Sequence, residues 1–192
     1  DSVTSIGEMT FRLCTGIESV TIANGVEEIH REAFQGCTSI AEITFPDSVR
    51  YVDSYSFQNC TSLKKVVFGD SMKHVGYGAF SYCTALEEVT FGENLVVIVY
   101  HAFEGCAKLT SIVIPEGTKT IGSEAFAHCT ALETVYLPGT LEYLEPRAFL
   151  DCPSIKTVYY SGSPESFKKS LSPSKDGNED LLNAPIYYNY SY

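Results

Sequence analysis

The sequence has no tryptophan and only two methionines, so its apolar content of 44% is carried by aliphatic residues, Phe, Tyr and Cys. No apolar run approaches the ~18 residues that a membrane-spanning helix needs, which argues against membrane insertion of this segment. Positive charge is scarce too. Thirteen Lys and Arg stand against 24 Asp and Glu, a net charge of −11, and no basic stripe relieves that acidity. Phosphate backbones would be repelled, so nucleic acid is excluded as a partner. The seven cysteines contain no Cys-x-x-Cys pair and no His at ligand spacing, which removes the usual zinc arrangements. No nucleophile, base and oxyanion-hole motif can be assembled from spacing either. The expectation is a chain without metal, without cofactor and without enzymatic activity.

What the sequence does have is a period of 23. Phe recurs at 11, 34, 57, 80, 103, 126 and 149, and Cys follows three positions later at 14, 37, 60, 83, 106, 129 and 152. Such a period marks a solenoid, whose repeats cannot bury an apolar face without neighbours above and below. Counting from Phe, the +6 column (Ile17, Ile40, Leu63, Leu86, Leu109, Leu132, Ile155) and the +9 column (Val20, Ile43, Val66, Val89, Ile112, Val135, Val158) are apolar throughout. With +11 (Ile22, Phe45, Phe68, Phe91, Ile114, Leu137, Tyr160) they alternate as a short parallel strand would, from about +8 to +11. Turn-forming residues follow at +12 to +14, as in Pro46-Asp47-Ser48 and Pro115-Glu116-Gly117. A second pair of apolar columns at +15 and +18 (Val26 and Ile29, Leu95 and Ile98) predicts a second short strand. Gly36, Asn59, Gly105 and Asp151 at +2 predict that one helical or 3₁₀ turn around the Phe ends in a positive-φ residue.

The period ends after Tyr160. Ser161 to Lys169 reads as a turn and a helix start, Asn178 to Asn183 as a helical turn and Ile186 to Tyr190 as a final strand. The expected division is therefore a solenoid over residues 1–160, with seven repeats of which the first is partial, and a capping segment over 161–192. Val3 and Ile6 match the second half of a repeat whose first half is missing, as in an excised fragment or a mature chain without its leader.

The pattern x-Ile-Gly-x-x-Ala-Phe-x-x-Cys-x-x-Leu-x-x-Val, as in Ile121 through Val135, resembles the BspA-type leucine-rich repeats of bacterial cell-surface proteins. The likeness covers residues 3 to 160, and the tail is similar to the segment that closes such arrays. It implies a β-dominated α/β leucine-rich-repeat solenoid: a right-handed coil of 23-residue repeats with a parallel sheet, short second strands, one-turn helical segments and a C-terminal cap. It also implies an extracellular or cell-surface location, with adhesion to a protein ligand such as a host extracellular-matrix or cell-surface protein. The family motif describes a core and assigns no binding residue.

An in-register cysteine column reads as buried free thiols acting as small hydrophobes. The four His fall in different columns and read as surface residues, and the +13 acids Asp47, Asp70, Glu93 and Glu116 as a solvated turn column. Asp176 to Asp180 imitates the start of a calcium loop but lacks its sixth-position Gly and twelfth-position Glu, so it reads as a polar loop. Two surfaces remain as candidate protein-binding sites. Tyr77, Val97, Val99 and Tyr100 sit on the second arm, where other repeats carry charge or Gly, and Tyr136 with Tyr159 lie on the outer face of the main strand. The competing expectation is a rigid spacer within a larger surface protein.

Overall fold

The computed structural model describes residues 2–170 and 176–191. Positions 1, 171–175 and 192, the last two within the expected cap, lie outside the described residues. The 23-residue period becomes one coil of a β-solenoid, and strands from successive coils pair in parallel at an offset of 23. The second arm forms a continuous seven-stranded sheet from Ser5–Ile6 through Glu28–Ile29, Tyr51–Val52, His74–Val75, Val97–Ile98 and Thr120–Ile121 to Tyr143–Leu144. The second residue of each strand points inward, and all but Ile6 are fully buried. Strands of only two residues hold because the five inner ones are paired on both sides and all are anchored by an aliphatic column.

The main strands form two sheets rather than the one expected. Glu42–Thr44, Lys65–Val67 and Glu88–Thr90 make one, and Ser111–Val113, Thr134–Leu137, Thr157–Tyr160 and Ile186–Tyr188 make the other. The break falls where the +11 column changes from stacked phenyl rings (Phe45 to Phe68 5.2 Å, Phe68 to Phe91 5.4 Å) to aliphatic Ile114 and Leu137. Val89 and Phe91 at its lip are only half-buried, and a crevice of about 570 Å³ opens between them and Val113, Pro115 and Glu116. The first coil departs as well. Ser19 to Ile22 does not form its expected strand, because Phe11, Leu13 and Val20 have a packing neighbour on one side only and stay partly or largely exposed.

Through the middle runs the Phe column. Neighbouring rings from Phe11 to Phe149 stack at 5.0 to 5.4 Å, an offset geometry that suits their quadrupoles. The segment around each Phe is not helical. It consists of turns closed by i to i+3 hydrogen bonds, such as Ala33 N–H to His30 O and Cys37 N–H to Phe34 O. Residues two before and two after Phe are left-handed in every coil, from Met9 (φ 55°) and Leu13 (φ 59°) to Arg147 (φ 63°) and Asp151 (φ 53°). A left-handed third residue is the signature of a type II turn, and two such turns bracket the ring. The +2 column was legible from its Gly, Asn and Asp; the −2 column, with Glu32, Tyr55, His101 and Glu124, was not. Hydrogen bonds between coils compensate: Glu32, Phe34 and Gly36 each donate N–H to Ser54, Ser56 and Gln58. A helix could not do this, because its N–H groups would be spent within the coil.

Helices form at Pro164–Ser170 and Glu179–Asn183. Ser163 accepts the Ser166 N–H on its hydroxyl and Pro164 follows it, an N-cap with Pro at the first helical position. Phe167 and Leu181 are buried in the same core as the repeats, and Ile186–Tyr188 pairs in parallel with Val158–Tyr160.

Candidate binding surface

The second arm presents the first candidate surface. Val97 lies between His74 and Thr120 in the seven-stranded sheet, with its side chain outward and half-buried. Val99 follows at the corner, flanked in the neighbouring coils by Gly76 and Gly122. A Cβ at Gly122 would sit 2.8 Å from Tyr100 N and 3.0 Å from Val99 C, so only glycine lets the two coils approach there. Tyr77 and Tyr100 occupy one column in adjacent coils and are 36% and 43% exposed, enough for each to offer a ring face or edge to a partner. The Tyr77 ring meets Tyr55 edge-on at 5.2 Å and leans on His101 at 5.1 Å. Burial, with Tyr55 beside it, raises the Tyr77 phenol above its ordinary value. The Tyr77 ring is thus held from behind rather than loose, which lowers the entropy lost on contact.

Beside them, three residues converge that the sequence kept apart. The His101 Nδ1 lies 2.9 Å from Glu104 Oε2 and 3.5 Å from Glu124 Oε2. His101 and Glu124 share the left-handed −2 column, which turns both side chains to the same edge, and Glu104 reaches them from three residues on. Tyr82 donates its hydroxyl to Glu104 Oε1 at 2.6 Å, and this bond pushes the phenol up to about 12. The Arg147 guanidinium stands 3.6 Å from Glu124 Oε1. The expectation that the four histidines are surface residues is thus corrected at His101, which is half-buried against two carboxylates. The signal was present as an i, i+3 pair with a third residue one period away, but it required the −2 column to be recognised as an outward-facing one.

Tyr136 and Tyr159 lie on the main sheet, apart from the second-arm residues, so the six candidates form two surfaces. Their rings stack at 4.8 Å; Tyr187 extends the stack at 5.4 Å, and Tyr190 leans over both at 5.7 and 4.7 Å. Sequence reasoning identified the last strand but not that its register places Tyr187 opposite Tyr159.

The remaining polar columns have structural roles. Asp47 and Asp70 each accept the backbone N–H of the next coil, at Asp70 (2.8 Å) and Glu93 (3.1 Å), so these acids of the +13 column serve the turn rather than only facing water. Asn178, in the calcium-like loop, is buried and spends its amide on Phe149 N–H and Glu145 O, both at 2.9 Å. Six of the seven thiols are buried, Cys14 being the half-buried one, and each of the six aims its S–H at the Phe carbonyl of the preceding coil. The distances run from 3.0 Å (Cys37 to Phe11) to 3.5 Å (Cys106 to Phe80). Among the described residues no helix is long and apolar enough to cross a membrane.

The sequence profile of the BspA type leucine rich repeat region matches residues 1–106 and 57–171, in six copies. No curated protein gives a significant match. Among solved structures, a leucine rich cell surface protein of Faecalibacterium prausnitzii is 27% identical with a TM-score of 0.70, over 90% of this chain and 55% of its own. A leucine-rich repeat protein of Eubacterium ventriosum is 30% identical with a TM-score of 0.78, over 92% of this chain and 45% of its own. The leucine rich repeat protein of T. pallidum is 31% identical with a TM-score of 0.60, over 62% of this chain and 57% of its own. This chain therefore spans about half the length of each. With a matching profile across most of its length and the same solenoid in these structures, the chain belongs to the BspA-type leucine-rich repeat family.

Proposed function

We propose that this chain is a non-enzymatic protein-binding module of a secreted or surface-anchored bacterial protein, acting in adhesion to host proteins or cells. The observation that carries the reading is the exposed aromatic surface of the second arm, where Tyr77 and Tyr100 lie in adjacent coils beside Val97 and Val99. Solenoids recognise partners through side-chain columns spread over several coils, and rigid Tyr anchors concentrate binding energy at little entropic cost. The stacked Tyr136 and Tyr159 are the second contact surface. Residues 161–192 serve as the cap of the solenoid core over residues 1–160. The cell-surface description of the Faecalibacterium relative supports an extracellular setting.

A panel of extracellular-matrix and cell-surface proteins, tested with the wild type and with Val97→Asp, Tyr100→Ala and Tyr159→Ala, decides among the surfaces once each variant is shown to fold. Loss of binding in the first two places the contact on the second arm, and loss only in Tyr159→Ala moves it to the main sheet. Binding driven by apolar anchors is weakly salt-dependent, whereas binding through the net acidity fades as salt screens it. A rigid spacer is the second reading, favoured by the unbroken Phe stack and the continuous seven-stranded sheet. Absence of binding to any panel member supports it.

A further inference from the structure

The cluster at His101 has the composition and geometry of a cation site. We propose that His101 Nδ1, Glu104 Oε2 and Glu124 Oε2 bind one first-row divalent transition-metal cation, Zn²⁺ being the reference case. One ligand atom from each of the three residues lies within 4.8 Å of the other two. Of the two distances from the imidazole nitrogen, the 3.5 Å to Glu124 matches the roughly 3.3–3.6 Å that separates tetrahedral ligands bound about 2.0–2.2 Å from zinc, and the 2.9 Å hydrogen bond to Glu104 would open by about 0.5 Å to reach it. Each carboxylate turns one oxygen to the imidazole while its other oxygen is held from outside: Glu104 Oε1 by the Tyr82 hydroxyl, and Glu124 Oε1 by Arg147. Partners outside the ligand set are what fix carboxylate orientation in metal sites. The Tyr77 ring packs against the imidazole and limits its rotation.

The donor set selects the class of ion. One imidazole nitrogen with two carboxylate oxygens favours zinc or its first-row neighbours over Ca²⁺ and Mg²⁺, which take all-oxygen shells. The ion's two positive charges balance the two carboxylates, with Arg147 paired to the outer oxygen of Glu124 and also facing Asp176. The three side chains are 14 to 27% exposed, so coordination positions are left toward solvent for water or for a donor from another molecule. Three ligands from two coils also place the ion across the junction between the fifth and sixth repeats, at the edge of the Tyr77 and Tyr100 surface. The site is independent of any protein partner.

The alternative is a His101 that only bridges the two carboxylates and has no affinity for metal. Titrating the whole chain with Zn²⁺, followed by calorimetry, and with Co²⁺, followed by visible absorption, separates the two. One equivalent of each ion is expected, with Co²⁺ bands of nitrogen and oxygen ligation and no thiolate charge-transfer band. His101→Asn and Glu124→Gln should each weaken binding by 10-fold or more. Asn tolerates the left-handed backbone that His101 adopts (φ 58°), and Gln preserves side-chain volume, so circular dichroism should match the wild type. If one variant fails to fold, the other decides. The proposal is overturned by no binding at millimolar metal or by wild-type affinity in a folded variant. It is equally overturned by Ca²⁺ binding as tightly as Zn²⁺, or by a thiolate band lost in Cys14→Ser.

Discussion

At the scale of single residues the core uses two columns in different ways. Phe80 stacks on Phe57 and Phe103 at 5.2 and 5.4 Å and meets Phe68 edge-on at 5.5 Å. Phe80→Ala should cost ~3–5 kcal/mol in urea unfolding, whereas Phe11→Ala, at a ring 36% exposed with one stacking neighbour, should cost less than half of that. Equal costs would show that the stack contributes little beyond local burial. The cysteine column adds a polar element that volume alone does not explain, since each buried thiol reaches the Phe carbonyl one coil away. Burial pushes Cys83 and Cys152 from their ordinary 9.0 up to about 12, and raises Cys37, Cys60, Cys106 and Cys129 as well. A thiol with a raised folded value contributes stability that is complete below about pH 9 and is lost as pH rises towards 12. The melting temperature should therefore hold between pH 7 and 8.5 and fall steeply above 9. Native alkylation should label Cys14 first and the other six only on unfolding, and rapid labelling of several thiols would contradict their burial.

At the scale of elements, the two strands of the coil were legible, and the turns around Phe only at their +2 end. Alternation at +9 and +11 and the pair at +15 and +18 identify both arms, because a strand buried on one face must alternate whatever its length. The segment around Phe carries no comparable period. Its left-handed residues include Tyr, Glu, His and Arg, which local preference disfavours there, and the bonds to the next coil that hold them are visible only once the coils are stacked. The same limit hid the break in the main sheet, since a change from Phe91 to Ile114 looks conservative in one dimension. It also hid the contact between His101 and Glu124, which needs two coils, while Tyr77 and Tyr100 each stand out within a single coil. Coil spacing is the quantity these elements share, and glycine sets it at the corner. A Cβ at Gly76 would lie 2.5 Å from Val52 O and 2.8 Å from Asp53 C, both backbone atoms that cannot step aside. Gly76→Ala should therefore destabilise by about 1–3 kcal/mol, while Gly16→Ala, where nothing lies within 4 Å, should be neutral or slightly stabilising. Urea midpoints of the two variants test this, and a harmless Gly76→Ala would show that the coils can separate freely.

At the scale of the whole molecule, the two ends differ. The first coil leaves Phe11, Leu13 and Val3 largely exposed, whereas at the other end Phe149, Cys152 and Val158 are fully buried. Phe167 and Leu181 join the core there, and Ile186–Tyr188 pairs the edge of Thr157–Tyr160 that would otherwise stand open. Asn178 ties this segment to the last repeat by satisfying both Phe149 N–H and Glu145 O. In Asn178→Ala the Phe149 N–H loses its partner while Glu145 O keeps only the Ala148 N–H, for a cost of ~1–3 kcal/mol if the Phe149 N–H stays dry. Removing residues 161–192 goes further, exposing the end of the Phe stack and a strand edge together. The truncated chain should aggregate or melt well below the parent, as light scattering and thermal unfolding would record. A truncated chain that stays monomeric and melts with the parent would mean that the Phe and Cys columns close the core without help, and that the tail serves some other purpose.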